Sequence, residues 1–164
     1  MKVLVVTVAA SALLCVASAQ SLRSQVEAAN KTTHKLMMAK DVKGLTKEWK
    51  GAATKDFKYV EAGRTMNMDQ MCQGMAMGLG GMKKVLKADS KPLSVKEKGN
   101  TGTSTTSHVM EGITVGPDKK SHTVTFTGVS TETYVKQGGK WKMSKMVWGK
   151  QTTLMDGKPM PTGQ

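Results

Sequence analysis

The stretch AKDVKGLTKEWKGAATKDFKYVEAG, residues 39–63, contains the change of periodicity that decides the fold. Its first half predicts a short helix, because Asp41 is a favourable N-cap and the apolar residues after it recur every three or four positions. Those apolar residues are Val42, Leu45, Trp49 and Ala52. From Asp56 the period changes to two, which places Phe57 and Tyr59 on one face and predicts a strand.

The segments on either side of this stretch predict two more helices. Residues 21–39 carry one apolar stripe at helical spacing, with the lysines elsewhere. After the strand, Asn67 and Gln70 have the spacing of a capping box. The apolar pattern beyond them predicts a third helix that runs to about Lys87.

The C-terminal half predicts strands, because threonine, valine and aromatic residues dominate it and no helical period is present. Glycine-containing turns at residues 116–118 and 137–139 divide it. The predicted strands cover residues 93–99, 101–115, 121–136 and 140–154. Three helices followed by long strands favour an α+β fold, with the helices packed on one face of a strongly curved antiparallel sheet.

Two segments carry a family resemblance. In residues 39–63 an aspartate begins a helix, a leucine and a tryptophan follow on one face, and a strand with aromatic residues comes next. The ending VSTETYVKQGGKWKMSKMVW, residues 129–148, has a turn, Gly139-Lys140-Trp141, that leads into the last strand. Both segments resemble the nuclear transport factor 2-like superfamily, which includes SnoaL-like polyketide cyclases and ketosteroid isomerases.

The resemblance implies a cone-shaped domain over residues 20–157, in which three N-terminal helices and the curved sheet enclose an internal pocket. Members of the superfamily hold small ligands in this pocket, and its enzymes place an acidic or histidine base there. Many members pair through the outer face of the sheet, so the resemblance also implies that a homodimer can form.

The two ends of the chain predict separate roles. Residues 1–19 have a positive start, an uncharged apolar run and the small-residue motif Ala17-Ser18-Ala19, which together predict a secretory signal cleaved before Gln20. The expected location is therefore secreted or periplasmic, with no membrane span in the mature chain. Residues 158–164 have nothing to bury and predict a flexible tail.

The net charge of +13 comes from lysines scattered along the chain, with only two arginines, Arg23 and Arg64. Nucleic-acid surfaces concentrate arginine and aromatic residues on one face, so this distribution predicts a solvated basic surface and no specific nucleic-acid binding. Removal of the signal would leave Cys72 as the single cysteine, which excludes a disulfide within the mature chain.

The candidate pocket residues combine aromatic rings with a few polar groups. They are Trp49, Tyr59, His108, Phe126, Glu132, Tyr134 and Trp148. Alternation along the strand 121–136 places Phe126, Glu132 and Tyr134 on one face. A bulge at Gly128 would instead flip the register and expose Glu132. The function favoured by these residues is binding of a small, partly apolar molecule, without catalysis and without a cofactor.

Two alternatives of other classes stay open. An isomerase- or cyclase-like enzyme would use Glu132 or His108 as its base, because a carboxyl group in an apolar cavity is suited to proton transfer. A soft-metal binder would hold Cu(I) through Met71, Cys72 and Met75, because thioether and thiolate are soft ligands. Helical spacing of the same methionines is also typical of a flexible core stripe.

Overall fold

The computed structural model describes residues 20–160, so the predicted signal segment 1–19 lies outside the described residues. The element order begins with helices α1 (Leu22–Met38) and α2 (Val42–Ala52), and helix α3 (Met68–Gly81) follows two strands. The strands are β1 (Ala53–Glu61), β2 (Arg64–Met66), β3 (Met82–Lys98), β4 (Thr101–Val115), β5 (Ser121–Gln137), β6 (Lys140–Met155) and β7 (Lys158–Pro159).

The predicted helix caps are confirmed. The Asp41 carboxylate accepts the backbone N–H of Gly44 at 2.8 Å, which satisfies one of the free donors at the start of α2. Asn67 and Gln70 form a complete capping box at the start of α3, in which each side chain accepts the backbone N–H of the other residue.

One sheet contains the strands in the order β2-β1-β6-β5-β4-β3, with β7 added beside β6. The α+β prediction with three helices on a curved sheet is confirmed. The sheet differs from the purely antiparallel prediction at one place, because β1 pairs with β6 in parallel. The chain between these two strands contains α3 and three long strands, which supplies the crossover that a parallel pair requires.

The prediction of a helix up to Lys87 is wrong, because α3 ends at Gly81 and β3 begins at Met82. The buried residues Met82, Val85 and Ala88 lie three apart, which imitates a helical period. The pairing of β3 with β4 shows the reason: its register shifts twice within residues 82–87, so an extra residue separates successive inward positions.

The C-terminal end of the sheet also contains more structure than the sequence predicted. Lys158 and Pro159, predicted to belong to a flexible tail, pair with Met155 and Leu154. The turn before them is held by Asp156, which contacts His122 through Oδ2 and Nδ1 at 2.7 Å. Pairing with β6 therefore orders the first part of the predicted tail.

The buried apolar residues form two clusters rather than one continuous core. The first contains Leu45, Leu79, Met82, Val85 and Ala88. The second contains Leu22, Val26, Tyr134 and Trp141. The second cluster is fastened by Gln25, whose side-chain amide donates to the carbonyl of Trp141 at 2.6 Å and accepts its N–H at 3.1 Å. The helices are thus packed on the sheet at two places, with space between them.

None of the helices within residues 20–160 is long and apolar enough to cross a membrane.

The second cluster depends on a close approach at Gly102, where α1 packs on β4. A Cβ atom at this position would overlap Leu22 Cδ2 and lie 3.1 Å from the carbonyl oxygen of Lys96. We expect Gly102→Ala to lower the free energy of unfolding by about 1–3 kcal/mol in urea denaturation, as overpacking of a tight core does. Gly51→Ala is the control, because no atom lies within 4 Å of its Cβ position. Equal stability of the two variants would contradict this packing.

Candidate functional site

A cavity of about 580 Å³ lies between the helices and the sheet. All three helices and strands β1 to β6 contribute to its wall. Its volume falls within the range of about 300–1,000 Å³ that is usual for small-molecule sites. Members of both buried clusters contribute to the wall: Leu79 and Ala88 from the first, and Val26 and Tyr134 from the second.

All seven residues proposed from the sequence as pocket residues line this cavity: Trp49, Tyr59, His108, Phe126, Glu132, Tyr134 and Trp148. Phe57 lines it as well, so six of the seven aromatic residues of the chain face one space. The seventh, Trp141, is buried in the second cluster. The structure therefore brings these residues together, although whether they contact a ligand stays a prediction.

The register of β5 follows the predicted alternation. Phe126, Glu132 and Tyr134 all line the cavity, and β5 pairs with β4 without interruption. The irregularity near Gly128 lies in the pairing with β6, where the extra residue belongs to β6. Gly128 has a packing role instead, because a Cβ there would lie 2.8 Å from the ring of Trp148.

Glu132 is the most deeply buried charged side chain of the site, with 2% of its surface exposed. The Thr106 hydroxyl donates to its Oε2 at 3.0 Å, and the Ser130 hydroxyl donates to Oε1. Ser104 lies behind Thr106, with 3.1 Å between the two hydroxyl oxygens. Hydrogen bonds from hydroxyl groups compensate the carboxylate for the water it loses on burial.

His108 extends this network towards the surface. Its Nε2 lies 2.7 Å from the Ser130 hydroxyl and 3.9 Å from Glu132, and its Nδ1 lies 2.9 Å from the Ser90 hydroxyl. With a proton on Nε2, the ring donates to the Ser130 hydroxyl, which in turn donates to Glu132. The His108 ring also contacts Trp148, with 4.8 Å between the ring centroids.

A second carboxylate lies on β1, two residues beyond Tyr59. The Tyr59 hydroxyl donates to Glu61 Oε2 at 3.1 Å, and the Gln151 amide donates to Oε1 at 2.8 Å. Burial raises the pKa of Tyr59, and the negative charge of Glu61 raises it further. The pKa of Tyr134 is also raised, first by burial and then by the charge of Glu132. Both tyrosines are therefore neutral at physiological pH.

Glu48 and Glu61 also line the cavity, although neither was among the residues predicted from the sequence. A signal for Glu61 was present, since it continues the alternation of Phe57 and Tyr59 along β1. Glu48 lies three residues after Leu45, at a spacing that favours the same side of α2.

Methionine side chains form much of the remaining wall. Eight line the cavity: Met37, Met66, Met68, Met71, Met75, Met110, Met143 and Met146. The thioether side chain is flexible and polarisable, so a wall of this kind can adapt to ligands of different shapes.

The three proposed copper ligands are divided between two environments. Met71 and Met75 line the cavity, whereas Cys72 is buried outside its wall with its sulfur 3.7 Å from that of Met68. Burial raises the pKa of the Cys72 thiol, which disfavours the thiolate that would bind a soft metal. Within residues 20–160, histidine, cysteine, aspartate and glutamate form no group of three or more suited to a metal ion.

The arrangement of three helices on a bent sheet with an interior cavity is the nuclear transport factor 2-like fold, and comparison with solved structures confirms this assignment. A superfamily protein from Salmonella enterica is 12% identical, with a TM-score of 0.55 over 86% of this chain and 93% of its own. A second such protein, of unknown function, from Shewanella oneidensis is 10% identical, with a TM-score of 0.56 over 78% and 98%.

A conserved protein from Planctomyces limnophilus is 8% identical, with a TM-score of 0.64 over 80% of this chain and 97% of its own. At these identities the similarity establishes the fold alone. No protein-family model matches the sequence. No curated protein matches it significantly either.

The hydroxyl network around Glu132 is testable by stability. We expect Thr106→Val to lower the free energy of unfolding by about 1–3 kcal/mol, because Glu132 Oε2 would lose its donor in a buried site. Thr105→Val is the matched control, since the neighbouring residue faces the other side of β4. We expect it to change stability by less than about 0.5 kcal/mol. Urea denaturation of both variants measures the difference, and equal values would contradict the network.

Proposed function

We propose that this protein binds a small, partly apolar molecule in the cavity between its helices and its sheet, and does so without catalysis. The observation that carries the proposal is the lining of the 580 Å³ space, where six aromatic rings and eight methionines surround a few fixed polar groups. Apolar walls with a small number of oriented polar groups are the usual composition of small-molecule sites.

The hydrogen bonds of Glu132 favour a role in binding over a role in catalysis. Both of its oxygens already accept hydrogen bonds from hydroxyl groups of the protein. A general base must instead approach the substrate proton within about 3 Å or through one water. The hydroxyl groups therefore hold the Glu132 side chain in one position in the wall.

A proton-transfer enzyme is the second candidate, and one observation favours it. Ser90, His108, Ser130 and Glu132 form a continuous hydrogen-bonded chain, which is a path along which a proton can move. Mass spectrometry of a ligand retained through native purification would identify a substrate for the test. Conversion of that ligand by the protein, lost in Glu132→Gln while binding persists, would support the enzyme.

We further propose that the protein is exported and that it pairs as a homodimer through the outer face of the sheet. The motif at residues 17–19 supports export. The outer face supports pairing, because Val129 and Val147 lie on it among threonines.

A larger residue at Gly78 tests the binding site directly. Gly78 lies on the cavity side of α3, and no atom lies within 4 Å of its Cβ position. We expect Gly78→Leu to place its side chain in the cavity and to weaken binding of the neutral fluorescent probe N-phenyl-1-naphthylamine about tenfold or more, a loss of about 1.4 kcal/mol. Fluorescence titration measures the dissociation constant.

Gly80→Leu is the matched control for this experiment. Gly80 lies on the same helix, is exposed and has open space around its Cβ position, but it does not line the cavity. Both substitutions remove a helical glycine, which stabilises a helix by up to about 1 kcal/mol, so neither should unfold the protein. Absence of probe binding to the folded wild type, or an equal loss in both variants, would contradict the proposed function.

A further inference from the structure

The charges in the cavity wall are opposite in sign to the charge of the protein. The chain has 25 lysines and arginines against 12 aspartates and glutamates. Four of those acids line the cavity: Glu48, Glu61, Asp89 and Glu132. Of the lysines and arginines within residues 20–160, none lines it. His108 is the single basic side chain of the wall in the described part of the chain, and its Nε2 lies 3.9 Å from Glu132.

Three of these carboxylates also lack a lysine or arginine partner. Asp89 lies 3.5 Å from the ammonium group of Lys87, at the edge of the cavity. Glu48, Glu61 and Glu132 have no lysine or arginine nitrogen within 4 Å among residues 20–160. Glu61 and Glu132 receive their hydrogen bonds from neutral groups instead. Glu132 is buried, whereas Glu48 and Glu61 are half-buried at the cavity wall. A carboxylate removed from water in this way is stabilised by a cation placed beside it.

The remaining wall is also suited to a positive charge. The faces of Trp, Tyr and Phe rings attract cations, and this attraction strengthens when the cation leaves water. Trp49, Tyr59 and Trp148 line the same cavity as the three carboxylates. The methionine thioethers add polarisable, uncharged surface for the apolar part of a ligand.

We propose that the ligand is an apolar organic cation, such as a protonated amine with an aromatic or aliphatic body. This inference rests on the proposed function, because the cavity defines the site and the carboxylates determine only the charge of its ligand. The positive group lies against the wall carboxylates and the aromatic rings, and the apolar body lies against the methionines. Bound there, it supplies the positive charge that the wall lacks.

An anionic ligand would be drawn to the surface of this basic protein but repelled by the cavity. The two effects can be separated by salt, because the Debye length at 0.15 M ionic strength is about 8 Å and exposed lysines are then largely screened. Carboxylates within the cavity wall are screened much less.

The experiment compares three probes of similar size and different charge: 4-phenylbutylamine, 4-phenyl-1-butanol and 4-phenylbutyrate. At pH 7 and 0.15 M NaCl the amine is positive, the alcohol neutral and the carboxylate negative. Isothermal titration calorimetry on the full chain after removal of any bound ligand gives the three dissociation constants. We expect the amine to bind about tenfold more tightly than the alcohol, and the butyrate to bind more weakly than the alcohol.

Single-residue variants assign the preference to the cavity. We expect Glu61→Gln to weaken binding of the amine about three- to tenfold and to leave binding of the alcohol unchanged, because an amide retains most of the hydrogen bonding but not the charge. Glu111→Gln is the matched control, since Glu111 is a partly buried glutamate of the same sheet that does not line the cavity. It should leave both affinities unchanged.

The outcomes separate this inference from the proposed function. If the alcohol binds and the amine binds no better, the ligand is not selected by positive charge and the inference is overturned, whereas the binding cavity stands. If an amine preference persists in Glu61→Gln and in Glu48→Gln alike, the wall carboxylates do not produce it and the inference is again overturned. If none of the three probes binds, and N-phenyl-1-naphthylamine does not bind either, both this inference and the proposed function fail.

Discussion

The bend of the sheet is the constraint on which the rest of the structure depends. Three register shifts in the pairing of β3 with β4, and two in the pairing of β5 with β6, add residues to one strand without adding them to its neighbour. Such bulges bend and twist the strands that contain them. The helices then contact the bent sheet through two separate apolar clusters, and the interior between the clusters stays open. A flat sheet would bring the same helices into continuous contact and leave no room for a ligand.

Polar residues around the open interior need hydrogen-bond partners from the protein. Glu132 is buried beneath the cavity surface, so it needs donors from the protein, and the hydroxyls of Thr106 and Ser130 provide them. The same hydroxyls keep the carboxylate in one position and oppose its use as a mobile base. Glu61 is fixed in a comparable way by Tyr59 and Gln151. The interior thus presents negative charges at defined places beneath a strongly basic surface.

Much of the fold could be predicted from the sequence, because local signals there were strong. The caps at Asp41 and Asn67 and the alternation along β5 all lie in segments whose period agrees with their structure. The start of β3 could not be predicted, since bulges gave its buried residues a spacing of three. Among the site residues, alternation and aromatic character indicated Phe126 and Tyr134. The spacing from Leu45 indicated the side of α2 on which Glu48 lies, but only the structure shows that the cavity lies on that side.

Methionine methyl groups offer the most direct test of the central claim, that the hollow between helices and sheet binds a ligand. Met75, Met110 and Met143 line the cavity, whereas Met77 does not and is 74% exposed. In protein labelled with 13C at the methionine methyls, addition of N-phenyl-1-naphthylamine should shift the signals of the three cavity residues and leave that of Met77 in place. If a saturating concentration of this probe shifts none of the cavity signals in the folded protein, or shifts that of Met77 alone, the account is contradicted.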